Sequence, residues 1–83
     1  MKMTDQLSLV AREFSSAKEL SVGRVSTLVF GDGAKLAAVI AGRADLTTRR
    51  FEAALLWFSD NWPDDVSWPP DVLRPANAKA DAA

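Results

Sequence analysis

The chain has 83 residues, which suffice for one domain, and 48% of them are hydrophobic, so a small core can form without a stabilising disulfide or metal. It contains no cysteine and no histidine, which excludes disulfides, ordinary zinc sites and a Ser-His-Asp triad. The net charge is −1 but uneven, since residues 1–58 carry eight basic and six acidic side chains and residues 59–83 carry two and five. We therefore expect a protein that is not an enzyme and holds no cofactor.

No stretch of about 18 apolar residues, the length needed to cross a membrane, occurs in the chain. Residues 1–6 are not followed by the apolar core of a signal peptide. These features predict a cytoplasmic protein that contacts no membrane, and no small-molecule substrate is evident.

The first predicted helix begins at Thr4 or Asp5, either of which can serve as its N-cap. Apolar residues then follow at spacings of three, one and three, which places them on one helical face. They are Leu7, Val10, Ala11 and Phe14. We expect this helix to end between residues 15 and 20.

A second helix is predicted after Ser21, a good N-cap. Its apolar face would comprise Val22, Val25, Leu28 and Val29. The many β-branched residues also suit a strand, but strict alternation is absent. Residues 31–33, Gly-Asp-Gly, predict a turn that ends this helix.

Two further helices are predicted. The third runs from Ala34 to about Gly42, with Asp32 as a cap and Leu36, Val39 and Ile40 on one face. The fourth is capped by Asp45 or Thr47 and ends near Asn61, before Pro63. Its apolar face repeats the spacing of the first helix, in Phe51, Ala54, Leu55 and Phe58.

Three tryptophans lie at and beyond the end of the helical domain, which we place at residues 1–62. Residues 63–75 are rich in proline and should be extended, packing on this domain or on a partner chain. Trp57, Trp62 and Trp68 are packing anchors or contact residues of an interface with another chain. We expect residues 76–83 to be a disordered tail, and no useful internal repeat.

The second and third predicted helices have the pattern of a helix-turn-helix unit. Val25, Val29, Leu36 and Val39 fall at offsets of 0, 4, 11 and 14, which suits two short helices held rigidly across one another. Ser26 supplies a small residue where those helices would approach. The second helix of such a unit enters the major groove of DNA.

Residues 22–58 resemble the small helix-turn-helix proteins of phages and prophages, in the lambda-repressor-like group. The resemblance is carried by Gly23-Arg24, Phe30-Gly31-Asp32-Gly33, Leu36, Ala41-Gly42-Arg43 and Leu46-Thr47-Thr48-Arg49-Arg50. It implies a compact bundle of four to five helices that acts as a homodimer on a two-fold site in double-stranded DNA. It also implies DNA contacts from the third helix and from the helix N-termini beside it.

The candidate DNA-binding residues follow from this reading. Thr47 and Thr48 lie at a helix N-terminus, where backbone N–H groups favour a phosphate. Arg49 and Arg50 adjoin them, and Ser21 and Arg24 mark another helix start. The third helix would contribute Lys35 and Ala38, followed by Arg43. Its exposed positions are otherwise alanines, so we expect mainly phosphate contacts and little reading of bases.

An alternative remains open at this point. The same helices can form a small protein-interaction module whose working surface is the Trp/Pro segment, because tryptophan is enriched in interface hot spots. The weak net charge and the alanine-rich third helix favour this alternative.

Overall fold

A computed structural model describes residues 2–75, and this part of the chain is all-α. Helix α1 spans Met3–Lys18, α2 spans Val22–Phe30, α3 spans Lys35–Ile40 and α4 spans Thr48–Asn61. No strand occurs among these described residues. The predicted all-α class and the order of the four helices are confirmed.

The core is formed by one face of each helix and is completed by Leu46 before α4, Trp62 directly after it and Val72 of the C-terminal segment. Phe14 of α1 packs edge-to-face against Phe58 and Trp57 of α4, with ring centres 5.3 and 5.4 Å apart. The apolar faces predicted for the first and fourth helices are buried, as expected. The buried apolar residues are Leu7, Val10, Ala11, Phe14, Val25, Leu36, Val39, Leu46, Phe51, Ala54, Leu55, Phe58, Trp62 and Val72.

The start of α1 differs from the prediction. Lys2 occupies the N-cap position without a side-chain hydrogen bond, and Thr4 and Asp5 lie inside the helix. The helix ends at Lys18, and its C-cap Glu19 is left-handed at φ 55° and donates its N–H to the carbonyl of Ser16. This end falls within the predicted interval.

Helix α2 begins and ends as predicted, but one residue of its expected apolar face does not face the core. Ser21 accepts a hydrogen bond from the Arg24 N–H at its start, and Gly31 ends it at φ 72°. Leu28 is 40% exposed, whereas Ser26 is fully buried. Because successive residues are separated by about 100° around a helix, burial of Ser26 turns the inner face away from Leu28.

Helix α3 is shorter than predicted and α4 begins where expected. The predicted third helix reached Gly42, but α3 ends at Ile40 and Gly42 adopts φ 79°. Ala34, and not Asp32, is the N-cap of α3, although the Asp32 carboxylate accepts a hydrogen bond from the Ala34 N–H at 2.9 Å. Thr47, and not Asp45, is the N-cap of α4 and accepts from the Arg50 N–H at 3.2 Å.

Residues 63–75 contain no helix, as predicted, but they are not uniformly extended. Two turns are closed by backbone hydrogen bonds, from Val66 N–H to the Pro63 carbonyl and from Val72 N–H to the Pro69 carbonyl. The predicted disordered tail, residues 76–83, lies outside the described residues. Among the helices of the described part, none combines the length and the apolar character that crossing a membrane requires.

Candidate nucleic-acid interface

The connection between α2 and α3 is fixed by the Ser26 hydroxyl. This group donates to the carbonyl of Asp32 in the turn and accepts from the Leu36 N–H in α3 at 2.9 Å. The turn also runs close to α2, because a Cβ built on Gly33 would lie 3.3 Å from Thr27 Oγ1. The two helices are therefore held together by hydrogen bonds as well as by buried Val25 and Leu36.

The outer side of α3 is open to solvent. Ala34, Ala37 and Ala41 are exposed, whereas Lys35 and Ala38 are half-buried. All five positions were expected to be exposed, which is right for Ala34, Ala37 and Ala41 and wrong for Lys35 and Ala38. These three alanines stay exposed in the presence of the C-terminal segment, so their methyl groups face solvent.

Lys35 is the first residue of α3, and Arg43 follows the helix after Ala41 and Gly42. The Lys35 ammonium group lies 3.4 Å from the carbonyl oxygen of Asp45, a contact that links the start of α3 to the loop before α4. Arg43 is exposed, and its backbone N–H donates to the Ala38 carbonyl at 2.8 Å. The Arg43 side chain makes no hydrogen bond or ion pair among residues 2–75.

The N-terminus of α4 presents the largest group of candidate residues, and Thr47, Thr48, Arg49 and Arg50 are all exposed. The guanidinium of Arg50 lies 5.8 Å from the centre of the Phe30 ring, a cation–π contact that joins α4 to the end of α2. Thr47 has its hydroxyl engaged as the cap, whereas the side chains of Thr48 and Arg49 make no hydrogen bond or ion pair among residues 2–75. Arg49 is thus free to meet an anion.

Ser21 and Arg24 lie at the N-terminus of α2 and are exposed. The Ser21 hydroxyl caps the helix through the Arg24 N–H, at 3.1 Å. A Cβ built on the neighbouring Gly23 would lie 3.7 Å from the Gly33 carbonyl oxygen, so this helix start borders the turn before α3.

Between residues 21 and 75, most basic side chains precede residue 51 and most acidic side chains follow it. Residues 21–50 carry five basic and two acidic side chains, whereas residues 51–75 carry one basic and five acidic ones. None of these charges forms an ion pair within the described range, so no basic side chain there is neutralised by an acidic one. The α2, α3 and α4 N-terminal region is therefore the positive part of the domain.

The three tryptophans contact their own chain. Trp57 is half-buried against Phe14, Trp62 is 7% exposed, and Trp68 is half-buried with its ring 4.8 Å from that of Trp62. They are thus not a free aromatic surface. A role for them at an interface with another chain stays a prediction.

A six-residue repeat underlies this packing and was missed in the sequence. The pattern Trp-Pro-x-Asp-Val occurs at residues 62–66 and again at residues 68–72. In both copies the indole N–H donates to the carbonyl of the valine at 2.8 Å, and the valine N–H donates to the proline carbonyl at 3.2 Å. The two copies are too short to be a repeat of useful length in the sense expected from the sequence, but the regular spacing of tryptophan, proline and valine is visible there.

Comparisons with protein-family models, with curated proteins and with solved structures give no match.

Proposed function

We propose that this protein is a DNA-binding regulator of the helix-turn-helix type, resembling the lambda-repressor-like proteins of phages. In this proposal α2, the turn and α3 form the binding unit, and the N-terminus of α4 lies beside it. The observation that carries the proposal is the uncovered outer side of α3 together with the positive charge around it.

The chemistry of this surface suits phosphate better than bases. Arg24, Arg43 and Arg49 are exposed and have no acidic partner within residues 2–75. Phosphate contacts give affinity that depends on salt and position a protein on the duplex without reading its sequence. The methyl surface of Ala37 and Ala41 would touch thymine methyl groups and specify little.

The proposed form on DNA is a homodimer. Five basic contacts from one copy would bind weakly at physiological salt, because non-specific complexes of this kind have dissociation constants of roughly 10⁻⁴ to 10⁻⁶ M. Two copies on a two-fold site would bind more tightly, as the symmetry of the protein is matched by that of the DNA.

The first experiment measures binding to a random duplex by fluorescence anisotropy at about 50 and 200 mM salt. If five phosphates are contacted, the affinity should fall several-hundred-fold, since log K changes by about 0.9 per phosphate for each tenfold change in salt. Absence of binding at the lower salt would overturn the proposal.

A matched pair of variants locates the contacts. Replacing both Arg49 and Arg50 with alanine should weaken binding to every sequence alike and reduce the salt slope by about 2. The control replaces Arg12 and Lys18, two exposed basic residues of α1, and removes the same charge. Equal effects of the two double variants would show that only net charge matters.

A second candidate is a protein-interaction module, and one observation favours it. A groove of about 490 Å³ lies between α1, α4 and the C-terminal segment, lined by Gln6, Phe51, Glu52, Leu55, Leu56, Leu73 and Pro75. Leu73 is 87% exposed and Leu56 is 37% exposed, an unusual state for two large apolar side chains beside one groove. Failure to bind DNA at low salt would leave this candidate as the better one.

A further inference from the structure

Helix α3 is too short and too weakly capped to be stable by itself. It has six residues, and its N-cap Ala34 has no side chain able to accept a hydrogen bond. Isolated helices of this length do not form in water, because nucleation costs more than so few hydrogen bonds return. Its position must therefore come from contacts with other parts of the domain.

Ser26 of α2 supplies the cap that Ala34 lacks. The Ser26 hydroxyl accepts from the N–H of Leu36, which lies in the first turn of α3, at 2.9 Å. N–H groups in this turn have no partner within their own helix. Ser26, which belongs to the neighbouring helix, thus caps α3 in place of a serine or threonine at the N-cap position.

The same hydroxyl also holds the turn. It donates to the carbonyl of Asp32, so one atom is bonded to both the turn and α3. Ser26 is fully buried, and water cannot replace either bond without opening the domain. Loss of the hydroxyl would leave the Leu36 N–H and the Asp32 carbonyl without this partner.

We infer that Ser26 is the positioning residue of the proposed DNA-binding surface. Ser26 itself contacts no DNA in this proposal. Its two hydrogen bonds fix the position of α3 relative to α2, and they thereby fix the positions of Lys35 and the exposed alanines of α3. This inference rests on the proposed function for its DNA consequence, but its structural part can be tested without DNA.

Ser59 provides a closely matched control. It is also a buried helical serine, at 3% exposure, and its hydroxyl likewise accepts from one N–H, that of Arg74 Nε, and donates to one carbonyl, that of Pro75. It lies in the C-terminal half of α4, on the side of the C-terminal segment. Ser59→Ala therefore removes a similar pair of bonds without touching α3.

The experiment compares Ser26→Ala with Ser59→Ala by amide hydrogen exchange and by DNA binding. In Ser26→Ala the Leu36 and Val39 amides should exchange roughly 10- to 100-fold faster, because a buried group loses its partner, while the Val10 amide in α1 changes less. Ser59→Ala should leave the ratio of α3 to α1 exchange unchanged. Equal acceleration of α1 and α3 in Ser26→Ala would overturn the inference.

DNA binding separates positioning from general loss of stability. At a temperature where both variants are fully folded, Ser26→Ala should bind a duplex about tenfold more weakly than Ser59→Ala and show a salt slope smaller by up to about 1, since the Lys35 contact is displaced. Equal affinities would contradict the inference. If the unaltered protein binds no DNA, the proposed function fails, and the exchange ratio still decides whether Ser26 fixes α3.

A second variant covers the case in which Ser26→Ala does not fold. Ser26→Cys keeps the size of the side chain but replaces the hydroxyl by a weak donor and acceptor. Its α3 amides should exchange faster than those of the unaltered protein while α1 is preserved. Exchange identical to that of the unaltered protein throughout would contradict the inference.

Discussion

The guanidinium of Arg74 stacks over the indole ring of Trp68, with its central carbon 5.2 Å from the ring centre. Two nitrogens of the same guanidinium donate to Ser59 of α4, one to its hydroxyl and one to its carbonyl, both at 2.9 Å. Trp68 in turn contacts Trp62, which packs near Phe14 of α1. The C-terminal segment is thereby joined to the helical body at both of its ends.

Replacement of Arg74 by alanine should destabilise the protein by about 1–2 kcal/mol, because two hydrogen bonds and a cation–π contact are lost at once. Urea denaturation followed by tryptophan fluorescence measures this. Arg12→Ala, at an exposed position of α1, should change stability by less than about 0.5 kcal/mol. An Arg74 variant as stable as the Arg12 variant would mean that the contacts at Ser59 contribute nothing.

The two tryptophans of the repeat should differ in their contribution. Trp62→Ala should cost about 3–5 kcal/mol, the range for a buried aromatic residue, whereas Trp68→Ala should cost less because its ring is half-buried. Thermal unfolding by circular dichroism gives the order. Equal stabilities of Trp68→Ala and the unaltered protein would show that the second turn is not part of the folded domain.

The two threonines at the start of α4 form a matched pair. Thr47→Ala should lower stability by about 1 kcal/mol, because the Arg50 N–H loses its cap. Thr48→Ala removes a hydroxyl with no such bond, one residue later, and should be close to neutral or slightly stabilising. Equal losses for the two variants would disprove the capping role of Thr47.

Alanine substitutions at Gly23 in α2 and at its C-cap, Gly31, should change the stability of the protein in opposite directions. Gly31→Ala should destabilise by about 1–2 kcal/mol, because φ is 72° there and a Cβ is strained in that conformation. Gly23→Ala places its Cβ no closer than 3.7 Å to other atoms and should stabilise by roughly half a kcal/mol through a less flexible unfolded chain. Denaturation midpoints of both variants test the pair.

The sequence was informative where periodicity decides the structure. Spacings of three and four residues place Phe14 and Phe58 on inner faces. Capping chemistry indicates Ser21 as one helix start and either Asp45 or Thr47 as another. These features are local, so a single sequence carries them. The all-α class followed from them.

Features that depend on contacts across the chain were predicted only in part. Ser26 was expected where the second and third helices approach, and it is buried there, but its hydrogen bonds to Asp32 and Leu36 were not predicted. The exposure of Leu28 follows from the rotation of α2 about its axis when it packs on α3, which spacing within α2 cannot give. Arg74 lies 15 residues from Ser59, and nothing local to Arg74 indicates that partner. For the candidate DNA surface, the sequence indicates which residues could contact DNA but not how exposed each of them is. The exposure of Lys35, for example, depends on how the loop before α4 folds back.

The most direct test of the proposed function is a map of amide chemical shifts on addition of duplex DNA at low salt. The account predicts changes concentrated at residues 21–24, 34–43 and 47–50, with residues 62–72 little affected. Changes confined to the groove around Leu56 and Leu73, or no changes at all, would contradict it.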